Sequence, residues 1–193
     1  MNIYEVIKAD HDEYRRLLNA LAETSGDSLK RRSLWTKFHY DVKAHAAAEE
    51  ESLYAELIAT VDGQPEARHS VHEHQQLDDI MEELNEMDMS SGGWLTRFKT
   101  LHHDYDHHIE EEENEIFTKA KDAIGGDKTG ALADKFASRK KNELKLVDKK
   151  QRKRWRINYP QPTNSVASQS ALRKSGARRR TGSSSDQSPS GGL

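Results

Sequence analysis

The chain has 193 residues, a formal net charge of −3 and no cysteine, which excludes a disulfide framework and any thiolate metal site. No apolar run approaches the roughly 20 residues of a membrane span, and the N-terminus lacks the pattern of a signal peptide. We therefore expect a cytoplasmic protein without membrane contact. The charge is unevenly divided, since residues 139–193 hold 15 Lys and Arg against 3 Asp and Glu, and all ten His lie in the acidic remainder.

Apolar residues recur at helical spacing in four successive segments. The first helix begins at Asn2, which has the character of an N-cap, and ends at the Thr-Ser-Gly-Asp of residues 24–27. The second runs to about Val61, the third from Pro65 to about Met87, and the fourth stops before Gly125. Four long helices with short connections predict an all-α, antiparallel up-down-up-down four-helix bundle over residues 1–126.

A fifth, amphipathic and basic helix is predicted over residues 127–157, and residues 158–193 form a basic, Ser- and Gly-rich tail that we expect to be disordered. The basic residues at the end of this helix could bind nucleic-acid phosphates: they are Lys149, Lys150, Arg152, Lys153, Arg154 and Arg156. The alternative is a solvated helix and tail that fold back on the acidic bundle.

Two copies of one motif lie in the second and fourth helices. His45 precedes Glu49 by four residues, as His108 precedes Glu112. Residues four apart lie on the same face of a helix, so each motif directs an imidazole and a carboxylate toward one point. Such a pair can bind a transition metal.

An internal repeat relates the two motifs. Shifting the sequence by 63 residues places His45 on His108, Glu49 on Glu112 and His11 on His74. Apolar positions follow the same shift, for example Trp35 on Phe98 and Leu53 on Ile116. The repeat predicts an approximate two-fold symmetry within the bundle.

The repeat also ranks the ten His residues. His11, His45, His74 and His108 fall on the apolar stripes of their helices, whereas His39 and His102 lie about 120° and His107 about 100° away, so these three are predicted at the surface or flank. Buried imidazoles and carboxylates are costly without partners. The inward set therefore predicts a metal site in the bundle core: His11, His45, Glu49, His74, His108 and Glu112.

The sequence resembles the hemerythrin-like family of HHE cation-binding domains over roughly residues 3–124. The resemblance is carried by His11, by His45-x3-Glu49-Glu50, by His74 and by His108-x3-Glu112-Glu113. It implies two non-haem iron ions, with the four His as terminal ligands and the two Glu as bridges. Manganese and zinc are the weaker alternatives for this donor set.

The chain departs from the five-His pattern of the oxygen-carrying hemerythrins. Four residues either side of His74 stand Ser70 and Asp78, of which Asp78 is the candidate extra ligand. The four-His type implies binding or sensing of dioxygen, peroxide or nitric oxide, or iron buffering under oxidative stress. Two alternatives stay open: a metal-responsive regulatory protein whose tail binds nucleic acid or a partner, and a di-iron enzyme that reduces peroxide or oxidises ferrous iron. The sequence does not specify the oligomeric state.

Overall fold

The computed structural model describes the backbone of residues 1–158 and the side chains of residues 1–147 and 149. The predicted tail, apart from Asn158, lies outside the described residues. The side chains of the basic cluster beyond Lys149 also lie outside them.

Five long helices make up most of residues 1–158, and this confirms the all-α class. Their bounds are α1 Ile3–Ala22, α3 Gln64–Glu86 and α5 Thr129–Asn158. Two of the five contain a π-helical turn. Helix α2 is Leu29–Glu49, π-helical Glu50–Tyr54 and Ala55–Ile58, and α4 is Gly92–Glu111, π-helical Glu112–Ile116 and Phe117–Ala123.

Side-chain caps fix the start of three helices. Asn2 accepts a hydrogen bond from the Glu5 amide, and the Glu5 carboxylate accepts one from the Asn2 amide, both at 3.0 Å. Ser28 accepts a single hydrogen bond from the Arg31 amide at the start of α2, and Ser91 accepts one from the Trp94 amide at the start of α4. These caps satisfy amides that have no partner inside the first turn of a helix.

Helix α1 contacts α2 and α4, and α3 contacts the same two helices. Helices α1 and α2 are antiparallel. Asp10 contacts His45, and Tyr14, four residues later in α1, donates a hydrogen bond to the carbonyl of Asp41, four residues earlier in α2. Two apolar clusters fill the interior. One includes Tyr14, Phe38, Leu84 and Trp94, and the other includes Ile3, Ile7, Leu53 and Phe117.

Helix α5 packs on the outside of the second apolar cluster. Leu132, Ala133 and Phe136 belong to that cluster, and Phe136 is 1% exposed. One compact unit accordingly covers Met1–Lys153, and a second begins at Arg154. Of the described helices, none combines the length and apolar character that crossing a membrane requires.

Candidate metal centre

The six residues of the inward set, namely His11, His45, Glu49, His74, His108 and Glu112, are all buried. The two carboxylates are 0% exposed, and His74, the most exposed of the six, is 8% exposed. In the sequence each lies between residues of the two apolar clusters, as His11 lies between Ile7 and Tyr14. The structure therefore places a polar layer between two apolar layers.

The functional atoms of the six residues converge. Nε2 of His11 lies 3.2 Å from Oε2 of Glu112, and Nε2 of His45 lies 3.5 Å from Oε2 of Glu49. The same Glu49 oxygen is 3.6 Å from Nε2 of His74, whose nitrogen is 3.2 Å from Nε2 of His108. These contacts join donor atoms from all four bundle helices.

The four imidazoles form two pairs. The ring centroids of His11 and His45 are 5.1 Å apart, and those of His74 and His108 are 4.9 Å apart. We call the His11–His45 pair the first position and the His74–His108 pair the second position. Glu49 contacts a ring of each pair. Two metal ions bridged by carboxylates fit this division into two pairs.

Several donor atoms of the six have no hydrogen-bond partner among the described residues. These are Nε2 of His11 and of His45, both carboxylate oxygens of Glu49, and Oε2 of Glu112. A buried polar atom without a partner costs free energy, and a buried charge costs more. A cation between these atoms would satisfy them together, so the residues fit a metal centre of nitrogen and oxygen donors.

Each of the four imidazoles also contacts a carboxylate through its outer nitrogen, Nδ1. The four pairs are His11–Glu113 at 3.1 Å, His45–Asp10 at 2.9 Å, His74–Glu50 at 3.0 Å and His108–Glu73 at 2.9 Å. We call Asp10, Glu50, Glu73 and Glu113 the outer carboxylates. A carboxylate at Nδ1 keeps the proton there, which leaves Nε2 free to coordinate a metal and makes it a stronger donor.

Sequence reasoning did not assign this role to the outer carboxylates. The signal was present, because the 63-residue shift also places Asp10 on Glu73 and Glu50 on Glu113. Each of the four imidazole–carboxylate pairs also joins two helices. Two of the pairs link α1 to α2 and to α4, and the other two link α3 to α2 and to α4. The outer carboxylates therefore hold the imidazoles and the bundle in register.

Burial and charge determine the protonation of the metal-free interior. Burial lowers the pKa of His45 to about 4, although its bond to Asp10 opposes the shift. Burial and the negative charge of Glu112 raise the pKa of Glu49 well above its usual value. Burial opposes the charged form of His11, but the neighbouring carboxylates of Glu112 and Glu113 outweigh it and raise the pKa of His11. Without a metal, the two neighbouring carboxylates do not both ionise freely.

The π-helical turns begin at or beside the carboxylates of the motif, after Glu49 in α2 and at Glu112 in α4. A π-helical turn is wider than an α-helical one and is often found at functional sites. Ser52, Leu53 and Tyr54 are consecutive and all 0% exposed. The hydroxyl of Tyr54 donates a hydrogen bond of 2.5 Å to Oε1 of Glu112. The wide turn thus brings an additional residue, Tyr54, to the centre.

A cavity of about 270 Å³ lies between α2 and α3 and reaches the centre at His45 and His74. Its walls are largely apolar and include Val42, Val71 and Met81. Lys43 and Asp78 also line it, and their charged groups are 2.6 Å apart. One imidazole of each position, His45 and His74, thus lines a cavity large enough for a small molecule.

The structure corrects one prediction about the remaining His residues. His39, predicted at the surface or flank, is 2% exposed because it stacks on Trp35 at 6.0 Å and contacts the amide of Asn85. The predicted exposure holds for His107, while His102 is partly buried. Asp78, the candidate extra ligand, groups with His39 and Glu82 beside Lys43 and does not join the inward set.

The fold and the site define a class of protein: an all-α bundle with a buried centre of four His and two Glu. The sequence matches the family described as the Hemerythrin HHE cation binding domain over residues 2–120. The chain belongs to this family, as its motifs indicated.

Two further comparisons place the chain among known proteins. A crystal structure of a Hemerythrin HHE cation binding domain-containing protein from Mycobacterium kansasii is similar in fold, with a TM-score of 0.71 and 22% identity, over 79% of this chain and 93% of that chain. A protein named DNA nickase, from a Nostoc species, is 26% identical to this chain over 140 residues. This alignment covers 72% of the present chain but only 39% of that relative.

Proposed function

We propose that the chain is a non-haem di-iron protein that binds a small oxidant or diatomic gas, namely dioxygen, peroxide or nitric oxide. The observation that supports it is the set of buried, unpartnered donor atoms between the two imidazole pairs. The bundle we infer is the up-down-up-down form with pseudo-two-fold symmetry, which the helix contacts and the 63-residue repeat support. Bound iron would supply the redox change and the open coordination position for the ligand.

The protein's own residues would hold and insulate this centre. The outer carboxylates retain the Nδ1 protons, so each Nε2 faces the interior as a neutral donor. Glu49, which contacts a ring of each position, and Glu112, which contacts His11, would supply the carboxylate ligands. Tyr54 orients Glu112 through its hydrogen bond, and the two apolar clusters exclude bulk water from the layer between them.

Iron is our choice among the cations that this donor set accepts. Imidazole and carboxylate ligands without thiolates suit iron, manganese and zinc. The family is described only as cation-binding. A paired, carboxylate-bridged centre with a cavity wide enough for a small ligand favours a redox-active ion over zinc.

The test is anaerobic loading of the chain with ferrous iron, followed by metal analysis and exposure to dioxygen, peroxide or nitric oxide. We expect two iron ions per chain and new absorption bands on exposure. Glu49→Gln should lose at least one of the two ions, whereas the exposed Glu115→Gln should keep both. Wild-type protein that takes up no iron, or whose iron-loaded form shows no spectral change with any of the three ligands, would overturn the proposal. Repeated peroxide or dioxygen turnover by the ferrous protein would instead identify an enzyme.

A second function is favoured by the basic end of α5 and by the relative named DNA nickase. We propose that the basic cluster from Lys149 to Arg156 binds nucleic-acid phosphates through counterion release. The activity of the whole relative does not transfer with it, because the present chain covers 39% of its length.

A chain ending at Val147 tests this second function against the full chain. Binding of a DNA duplex should weaken steeply with salt and should be lost in the shortened chain. Binding that is equal in both chains, or insensitive to salt, would contradict it. A difference in binding between metal-free and metal-loaded full chain would make the bundle a sensor.

A further inference from the structure

The two metal positions differ in the charges around their outer carboxylates. At the first position, Nζ of Lys140 lies 2.5 Å from Oδ2 of Asp10, the same oxygen that contacts Nδ1 of His45. Nη1 of Arg15 lies 2.9 Å from Oε1 of Glu113, the oxygen that contacts His11. Both outer carboxylates of the first position therefore have a cationic partner.

Glu113 has a second cationic partner in Lys8, whose Nζ is 3.4 Å from its other oxygen. The 63-residue shift places Lys8 on Val71 and Arg15 on Asp78. The symmetry of the inward set therefore does not extend to the charges outside it. The shift replaces two cations of the first position by an apolar residue and an acidic one.

At the second position the outer carboxylates have no such partners. Glu73 contacts His69 at 3.5 Å, and that ring in turn lies 3.2 Å from Glu111. Glu50 is paired with His74. Within the part of the chain that the structure describes, no Lys or Arg forms an ion pair with Glu50 or Glu73. Lys8 and Arg15 are also paired with Asp12, at 3.0 and 3.2 Å, but the outer carboxylates of the second position have no cation of this kind among the described residues, so their surroundings are the more negative.

Two physical effects follow in the same direction. A carboxylate that is already bonded to a cation is a weaker acceptor, so its imidazole becomes a weaker metal donor. A fixed positive charge near a metal site also repels the metal directly, and more strongly in a protein interior than in water. Both effects weaken the first position relative to the second.

We propose that the two positions fill in sequence, the His74–His108 position first, and that Lys140 is a positioning residue that sets this order. The proposal rests on the di-metal function proposed above. Lys140 acts through Asp10 and reaches it because Phe136, one turn earlier in α5, packs against the ring of His45 at a centroid distance of 5.3 Å. The fifth helix thereby adds a charge at one half of the centre, beside those of Lys8 and Arg15.

The experiment titrates the full metal-free chain with Zn(II), a diamagnetic ion, and follows calorimetry and the NMR signals of ¹⁵N-labelled histidine. We expect two steps, with the signals of His74 and His108 shifting in the first and those of His11 and His45 in the second. Simultaneous shifts with a single affinity, or the reverse order, would overturn the inequivalence while leaving metal binding intact. A chain that binds no Zn(II) would overturn both proposals.

Variants at Lys140 provide the second arm. Lys140→Met should raise the affinity of the second step by about tenfold, the usual range for a change beside a ligand. Lys140→Arg should keep the wild-type difference in affinity between the two steps, because it keeps the positive charge. The control is Lys141→Met, which removes the same charge from an exposed neighbour. A folded Lys140→Met protein whose two steps differ in affinity as much as those of the wild type would contradict the role of Lys140. If that variant does not fold, the loading order of the wild type still tests the inequivalence of the two positions.

Discussion

The hydroxyl of Tyr54 donates a hydrogen bond of 2.5 Å to Oε1 of Glu112, joining the π-helical turn of α2 to that of α4. The 63-residue shift places Tyr54 on Phe117, which has no hydroxyl. Glu49, the counterpart of Glu112, accordingly has no hydrogen-bond partner among the described residues. One carboxylate of the centre therefore has a hydroxyl donor, whereas the other contacts the imidazoles of His45 and His74.

Tyr54→Phe should therefore weaken both the fold and the metal centre. The substitution leaves Oε1 of the buried Glu112 without its donor, which costs about 1–3 kcal/mol. Metal affinity should fall by about 10-fold or more, because a group that orients a ligand is lost. Urea denaturation in chelator and metal titration measure the two effects.

Tyr4→Phe is the matched control for this hydroxyl deletion. Tyr4 is also a buried tyrosine of the bundle, but its hydroxyl has no hydrogen-bond partner among the described residues. Its removal should leave stability and metal affinity unchanged or slightly improved. Equal losses in the two variants would show that the Tyr54–Glu112 bond has no special role.

Glu49→Gln should have opposite effects on the metal-free fold and on metal binding. At pH 7 the folded metal-free chain must either bury the Glu49 charge near Glu112 or take up a proton, since the pKa of Glu49 is raised by burial and by Glu112. Removing the carboxylate should stabilise the metal-free chain by about 1–3 kcal/mol while abolishing the bridge. Urea denaturation in chelator and metal content after loading provide the two measurements.

The stabilisation by Glu49→Gln should shrink as the pH falls through 4.5, because the unfolded wild type then takes up the proton that the folded wild type already holds. Glu115→Gln, which removes an exposed carboxylate in the π-helical turn of α4, should change neither property. A metal-free Glu49→Gln chain that is less stable than the wild type at pH 7 would indicate that Glu49 is a structural residue.

The inward set could be predicted from the sequence because two independent periods agree on it. Helical spacing places His45 and Glu49 on the apolar stripe, and the 63-residue repeat selects His11 and His74. His39 shows the limit of angular counting, since its burial comes from Trp35 and Asn85 on either side of it. A flanking position becomes buried when a neighbouring helix supplies a partner, and periodicity alone does not register that.

The π-helical turns have no comparable signal in the sequence. The two turns are out of step with the repeat by one residue. The 63-residue shift takes the first turn, Glu50–Tyr54, to residues 113–117, whereas the second turn covers Glu112–Ile116. The contact of Lys140 with Asp10 is equally hidden, because it links residues 130 positions apart. Both features depend on how the helices pack, which the pattern of apolar residues specifies only approximately.

Acid should destabilise the metal-free chain through His45. Its pKa is about 4 in the folded chain, against an ordinary value of 6.5, because burial disfavours the charged ring. The unfolded chain therefore binds the proton first, and the contribution of the neutral ring is complete above pH 6.5 and lost as the pH falls toward 4. His11, whose pKa is raised, acts in the opposite direction, so the effect must be isolated by difference.

The difference in unfolding free energy between the wild type and His45→Gln isolates the contribution of His45 to this pH dependence. In chelator this difference should shift against the wild type by about 1–3 kcal/mol between pH 7 and pH 4.5. The exposed His72→Gln serves as control, and its difference from the wild type should stay constant over the same range. A constant difference for His45→Gln as well would show that the ring is not buried in its neutral form.

Arg31 should prove essential to stability but not to the metal centre. It is 2% exposed, and its guanidinium donates to the carbonyl of Thr24 at 2.6 Å and to that of Met89 at 2.5 Å while lying 4.7 Å from the ring of Trp94. It thereby links the α1–α2 connection to the α3–α4 connection.

Arg31→Lys, which lacks the planar guanidinium, should lower the free energy of unfolding by about 2–4 kcal/mol, measured by urea denaturation. The exposed Lys30→Ala should cost less than about 0.5 kcal/mol, and the metal content of folded Arg31→Lys should equal that of the wild type. Loss of metal from the folded Arg31→Lys chain would contradict this separation of fold and centre.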